Sequence, residues 1–409
     1  MFSDRLKKNV FILFFCMGFS LFAWATSQAI EGKAGEVIKT MEQLKDLNAR
    51  GVICQGYVND LGELIEHGHS IEIVETTDRT LCHSNGFLEV SRQNKGKAKI
   101  GSNNELVGYE GGRPFMDLTT DDPQFAIKAA WNQEYRYRSD GFPTTWNYYL
   151  TDAKGRVKRL WGYADNVMCN FRTDIEPKPV WNPKEPDVRN KYIITFDGPF
   201  ESKGLSQLAV KYVDPNRSND VWTYVPGLRR ATRTGAAAGC DALGGFVSVM
   251  DDDYGFNGNI LDFTYEFVGE AEMLVPTLSG LDEKWPIPPG LHSPIAKLER
   301  RVVWIINQIP KDPNYCYSKR EWFLDPETYT IINVQNYHQD GTLWKNYWLG
   351  YRAYPNSPAI GGASLQIATG GCTDYRIMEG GPLHIETGGS NVPYTPADFT
   401  LDAMRRRGR

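Results

Sequence analysis

The residues able to do chemistry are few, and their spacing is the first thing to weigh. The six histidines are His67, His69, His83, His292, His338 and His384. His67 and His69 alternate, and Cys82-His83 follows nearby. Groups of this kind build zinc sites, but no further ligand pair stands at a metal-binding spacing, and His-x-His on a strand also arises from simple alternation. The stretch "DDDYGFNGN" (251–259) is rich in oxygen ligands. It fails the pattern of a calcium loop, and no Glu occupies the twelfth place. It reads as a polar turn ahead of the strand "ILDFTYEFVG" (260–269). There is no GxSxG elbow, no HExxH and no Walker loop. "GAAAGCDALGG" (235–245) lacks both the GK[ST] ending and the GxGxxG spacing, and reads as a flexible loop. No pair of carboxylates stands out. The expectation is a protein that is not an enzyme and needs neither cofactor nor metal.

What remains is the stretch "VWTYVPGLRRATR" (221–233). Side chains alternate along a strand, so Trp222 and Tyr224 share a face. Pro226-Gly227 suits a type II turn, with proline fixing φ at the second place and glycine taking positive φ at the third. On the returning strand Arg229 and Arg233 would share a face, with Arg230 opposite. Two readings compete. In the first, Trp222 and Tyr224 face a ligand, and the arginines hold a lipid head group or phosphate through bidentate hydrogen bonds, or dock an acidic partner. In the second, the aromatics pack in the core and the arginines form a charged edge that discourages aggregation. Trp304, Trp322, Phe323, Trp344 and Trp348 are further candidates for a ligand-facing wall, with core packing as the competing role.

The elements that must position these residues are mostly strands. Tyr, Phe and Trp number 21, 19 and 11, and aromatic residues favour strands. "KYIITF" (191–196), "SQLAVKYV" (206–213) and "DVWTY" (220–224) form one meander. A hairpin spans 146–164. A second meander runs through 300–309, 319–325, 329–337 and 342–351, with "DPET" and "HQDG" as its tight turns. Helices are expected at 40–51, where Thr40 and Gln43 have capping-box spacing, and at 121–139, with an Asp cap and Pro123 in the first turn. Phe125, Ala129 and Trp131 would line the buried side of the second helix. A long surface connection is expected near 276–294, and an irregular tail over 380–409. A sheet this aromatic on both faces must be covered by helices or curl around something apolar.

The chain begins with Arg5, Lys7 and Lys8, then a short apolar run, then Ala23-Trp24-Ala25. That is the pattern of a cleaved export signal over 1–25, leaving a single domain over 26–409. Losing Asp4 with the three cations takes the net charge from −5 to −7, which argues against a nucleic-acid partner. Cys54, Cys82, Cys169, Cys240, Cys316 and Cys372 then remain. Six cysteines allow 15 pairings, and spacing does not choose among them.

Four blocks then occur in order: "DVWTYVPGLRRATR", "DDYGFNGNILDFTYEFVGEAEMLVP", "LERRVVWIINQIPKDPNYCYSKREWFLDPETYTIINVQNYHQDGTLWK" and "NVPYTPADFTLDAMRRRGR". Together they resemble the domain-of-unknown-function family 1329, exported proteins of Gram-negative bacteria related in fold to the lipoprotein carriers LolA and LolB. The resemblance spans nearly all of the mature chain and is strongest from about 190 onward. It implies a mainly β (α+β) fold, with a large antiparallel sheet curled into an incomplete LolA/LolB-like barrel under a few covering helices. It also implies a periplasmic carrier or chaperone whose concave face takes a lipid or other hydrophobic small molecule. Partners implied in the same way are a resistance-nodulation-division exporter and an outer-membrane β-barrel protein. Two alternatives stand beside it: an envelope lipid or ester hydrolase, and a cargo-free structural part of an export complex. The family has no enzymatic residues to carry over.

Overall fold

Turn residues divide the chain into strands short enough to pair with their neighbours. The computed structural model describes residues 29–234, 239–242, 244–278, 291–292 and 297–408. The expected export signal therefore lies outside the described residues, as does most of the expected long connection. In chain order the elements begin with β1 (Val37–Ile38), α1 (Met41–Ala49), α2 (Gln55–Glu66), β2 (Ile71–Val74), α3 (Asn85–Gln93), β3 (Lys99–Ile100), β4 (Leu106–Val107) and α4 (Phe125–Glu134). Next come β5 (Gly141–Thr151), β6 (Val157–Met168), β7 (Val188–Gly198), β8 (Ser206–Tyr212), β9 (Asp220–Val225) and β10 (Arg230–Thr234). The rest are β11 (Phe263–Pro276), β12 (Lys297–Pro310), β13 (Lys319–Leu324), β14 (Ile331–Tyr337), β15 (Leu343–Pro355), β16 (Ala363–Asp374), β17 (Glu379–Gly388) and α5 (Leu401–Arg407).

Fifteen of the strands form one sheet, and only β3 and β4 stand apart. Strands β11 to β17 run as an antiparallel meander, β17 pairs with β5, and β5 to β10 continue the meander to the far edge. β2 adds a short parallel pairing to the start of β12, Lys297 opposite Glu72. Among the described residues β10 and β11 do not pair, so the sheet stays open. Residues from β11 and β12 at one end and from β6 and β7 towards the other all enter one hydrophobic cluster. Only a sheet that curls brings them together. This is the mainly β, incomplete barrel with covering helices expected from the sequence.

Both sheet faces are buried, under different covers. On the concave face lie Trp322, Tyr347, Leu349, Trp146 and Phe196, packed against Phe125 and Trp131 of α4 and against Phe256 and Ile260 of the segment before β11. On the outer face Phe323, Ile332 and Trp348 pack under Leu44 and Leu47 of α1 and Tyr57 and Leu61 of α2. Farther round the outer face, Ile193, Leu208 and Tyr224 pack under Phe399 and Met404 at the C-terminus.

Local signals explain the helix ends. Thr40 accepts from the Gln43 backbone N–H at 3.2 Å, and the Gln43 side chain accepts from the Thr40 N–H at 3.2 Å, a complete capping box. α4 is shorter than the expected 121–139: it starts after Gln124 and ends at Glu134. Asp122 instead turns its side chain onto the Gln124 N–H and its carbonyl onto the Phe125 N–H, which fixes a turn ahead of the helix. The expected irregular tail instead holds β17 and α5, the latter capped by Thr400 Oγ1 on the Ala403 N–H at 3.0 Å. Among the described cysteines Cys240 and Cys316 form a disulfide, while Cys54, Cys82, Cys169 and Cys372 are free and buried.

α2 carries a buried charge. Asp60 is 2% exposed and accepts from Asn346 Nδ2 and Tyr375 Oη, each at 2.8 Å. Burial pushes its carboxyl up to about 6, against these two hydrogen bonds. The folded state therefore holds a proton that the unfolded state releases near pH 4. Stability falls as pH rises from about 4 to about 6, by roughly 3 kcal/mol for a shift of this size. Asp60→Asn is expected to flatten that part of the stability profile, measured by urea denaturation at intervals from pH 4 to pH 8. The disulfide closes a loop with a sequence separation of 76 residues. Replacing Cys240 and Cys316 with alanine is expected to lower stability by about 4 kcal/mol in the chain-entropy account, read from the same denaturation curves.

Candidate functional site

The concave face is plugged from within by the segment that links β10 to β11. Its acidic run does not face water. Asp252 is fully buried, paired with Arg320 at 2.6 Å and accepting from Tyr317 Oη at 3.0 Å. Asp251 accepts from Tyr315 Oη at 2.8 Å. Phe256 packs edge-on to Phe263 at 5.2 Å and against Trp322 at 5.3 Å. The polar turn read from "DDDYGFNGN" is therefore an inward-facing anchor, because Arg320 of β13 and two tyrosines supply its partners inside the barrel. Among the described residues no group of three or more His, Cys, Asp or Glu is placed to hold a metal ion. His67 and His69 are exposed. His83 is buried beside Arg113, 2.8 Å away, and burial holds its imidazole down to about 3.

Between plug and sheet is a cavity of about 90 Å³. Its walls come from β5 (Phe142, Trp146), β7 (Tyr192, Ile194), β16 and β17 (Ile367, Leu383, Ile385) and the plug (Phe246, Tyr254). Phe246 is the plug's main contribution. It stacks on Tyr148 at 4.2 Å and meets Trp146 and Phe196 at 5.7 Å each. The next residue is tied down by Tyr148 Oη, which accepts from the Val247 N–H at 2.7 Å, and by Lys345 Nζ, which donates to its carbonyl at 2.7 Å. Tyr254 adopts a left-handed backbone, φ 54°, and its hydroxyl donates to Gln366 Oε1 at 3.0 Å. Such a conformation in a bulky residue is held by its surroundings. Polar atoms reach the wall from Asp165, Asn166 and Asp253. The Asp253 carboxyl is pushed up by burial, with Arg138, Lys211 and Arg136 acting in the opposite direction.

None of the seven aromatics named from the sequence lines this cavity. Trp304 and Trp322 do face the concave side but are covered. Trp304 lies edge-on to Phe125 of α4 at 4.8 Å and donates from Nε1 to Glu270 at 3.0 Å, and Trp322 lies under Phe256. Phe323 and Trp348 point outward beneath α1 and α2. Trp344 is half-buried and donates from Nε1 to Asp374 Oδ2 at 2.8 Å. Trp222 and Tyr224 do share a face, but it is the outer one, packed toward Met404. The turn after them is a 3-10 turn over Pro226–Leu228, with Arg229 rather than Gly227 at positive φ, 49°. Arg229 thus sits in the turn and not on the strand. Arg230 opens β10 opposite Val225, and Arg233 stands opposite Trp222, with its guanidinium over the indole at 6.0 Å and its charge paired with Asp220. Arg229, Arg230 and Arg233 are all exposed. What the sequence missed is Phe246, directly after the stretch read as a flexible loop. Its one local signal is an aromatic residue following paired glycines.

Phe246 is the wall whose removal enlarges the cavity most simply. Phe246→Ala is expected to lower stability by about 3 kcal/mol and to raise the uptake of an apolar fluorophore, checked by thermal melting and fluorescence titration of the same preparation.

The chain is similar to several known proteins. An uncharacterized protein of Pseudomonas aeruginosa is 22% identical over 289 residues, which span 66% of this chain and 60% of the relative's length. A Vibrio parahaemolyticus domain described as an outer membrane lipoprotein-sorting protein superposes with a TM-score of 0.50 at 16% identity, covering 69% of this chain and 98% of that domain. That likeness shows a shared fold. A DUF1329 family protein from Desulfovibrio piger superposes with a TM-score of 0.49 at 13% identity, covering 68% of this chain and 96% of the other. The model of the family described as protein of unknown function, DUF1329, matches residues 33–405, and the chain belongs to that family.

Proposed function

We propose that the protein is a periplasmic carrier or chaperone that holds a lipid or other hydrophobic cargo between its curled sheet and the inner plug. The observation that carries this reading is the aromatic and aliphatic cavity beside Phe246. Among the described residues its wall holds Thr144, Asp165, Asn166 and Asp253 but no Ser, Cys or His, so it offers no Ser–His or Cys–His pair, which favours holding a ligand over hydrolysing one. Each methylene buried there contributes about 0.8 kcal/mol, so affinity needs apolar length and no catalytic groups. Ligand pockets of known proteins usually enclose about 300–1,000 Å³, against about 90 Å³ here. A full acyl chain therefore requires the plug to move, and Phe246, half-buried on that plug, is the side chain to give way. An exported location, a resistance-nodulation-division exporter and an outer-membrane β-barrel protein as working partners belong to the same proposal. The exported location is supported by the family and by the fold shared with a domain described as lipoprotein-sorting.

Protein purified from a periplasmic extract is expected to carry lipid detectable by mass spectrometry and, once delipidated, to take up a fluorescent fatty-acid probe. A preparation that carries no lipid and takes up no probe would remove the basis for a carrier.

A further inference from the structure

A second cavity, of about 50 Å³, lies where α4 gives way to β5. Glu134, Arg136, Arg138, Ser139, Arg189 and Asn190 are on its wall. Glu134 is committed to Arg189 at 2.5 Å. Arg136 is 6% exposed, and its Nη1 donates to the Gln133 carbonyl at 2.8 Å. Its Nη2 is buried with no hydrogen-bond partner among the described residues, and so is Nε of Arg138. Neither guanidinium has a carboxylate within 4.0 Å among those residues. Both lie over one ring, that of Tyr254, at 5.3 and 4.6 Å from its centroid. Lys211 adds a further charge nearby, its Nζ donating to the Asn257 carbonyl at 2.6 Å.

Four cations, Arg136, Arg138, Arg189 and Lys211, gather here with the carboxylates Glu134 and Asp253, with Asp251 acting on Lys211 and Asp140 on the cavity wall. Burial, with the neighbouring Arg138 second, pulls Arg136 down to about 9, with Glu134 among the groups acting in the opposite direction, as expected of a buried cation whose carboxylate neighbours stand beyond ion-pair distance. Cation–π contact with a single ring offsets part of that deficit but leaves buried N–H donors unused. Tyr254 links the two regions: it lines the apolar cavity, and its ring carries the guanidinium groups of two arginines that belong to the wall of the polar one.

We infer that Arg136 and Arg138 receive the anionic group, carboxylate or phosphate, of a single amphiphile whose apolar part occupies the cavity beside Phe246, so that Tyr254 is the boundary between head and tail. This rests on the carrier reading and narrows its cargo to an acidic amphiphile. Guanidinium N–H groups with free donors bind both oxyanions bidentately.

The test is displacement of a fluorescent fatty-acid probe from the delipidated full chain by palmitate, methyl palmitate, dodecyl phosphate and inorganic phosphate. Palmitate and dodecyl phosphate are expected to bind at least about tenfold tighter than the methyl ester. The double variant Arg136→Gln, Arg138→Gln is expected to lose that preference while holding the ester within about twofold of wild type. Its melting temperature is expected to match or exceed wild type, because two like charges leave a buried site. If it does not fold, Arg138→Gln alone is expected to reduce the preference severalfold. Equal binding of acid and ester by wild type overturns the inference and leaves the carrier standing. Binding of neither overturns the carrier itself. Inorganic phosphate raising the melting temperature as much as dodecyl phosphate assigns the site to a free anion and overturns the amphiphile. Loss of preference in an Arg229→Gln, Arg230→Gln, Arg233→Gln variant, with the double variant unchanged, moves the head group to the outer turn and overturns the assignment.

Discussion

Everything in this molecule follows from a sheet that is apolar on both faces. In β15, Tyr347, Leu349 and Tyr351 enter the concave cluster while Trp348, between them, enters the outer one. Neither face can be left to water, so the chain supplies three separate covers. α4 and the plug fill the concavity, α1 and α2 shield one part of the outside, and the C-terminal segment shields another. The helices are few because they serve as lids on a sheet and not as a layer of their own.

The plug is the most heavily anchored of these covers. Arg320, Tyr315 and Tyr317 hold its acidic turn, and a disulfide fixes its approach beside the β12–β13 connection. Phe246 and Tyr254 flank that anchored centre, and with Asp253 they are the described plug residues that line the cavity. A rigid middle with aromatic ends gives a ligand something to push aside without dismantling the barrel.

Much of the fold was legible in the sequence, and the exceptions have physical causes. The hairpin at 146–164 and both meanders declared themselves through alternation and turn residues, and α1 through Thr40, Gln43, Leu44 and Leu47. α2 did not, because Gly56, Asp60 and Gly62 interrupt its apolar stripe. Each interruption answers a tertiary demand. Asn346 lies where a side chain on residue 56 would go, Met41 Sδ stands 2.8 Å from the place of a Cβ on Gly62, and Asp60 meets Asn346 and Tyr375. The cavity wall was less legible still. Alternation says that Trp322 and Phe323 face opposite ways, but not which of them faces inward. Whether an inward aromatic meets a ligand or a plug depends on where the plug settles. Arg136 and Arg138, in the neighbourhood of a helix end, gave no signal at all until Tyr254 was placed against them.

The seam between β17 and β5 gives the sheet an order of assembly. Thr145 and Thr387 touch across it although 242 residues separate them. The two meanders sit side by side only once nearly the whole chain is available, and such distant pairings form slowly. A chain threaded through a membrane from its N-terminus would keep its first meander without its central neighbour until the last hundred residues had emerged. In a chain exported in that way the topology would delay completion of the barrel until translocation is nearly over, and during that interval the aromatic concavity would lie open to whatever meets it first.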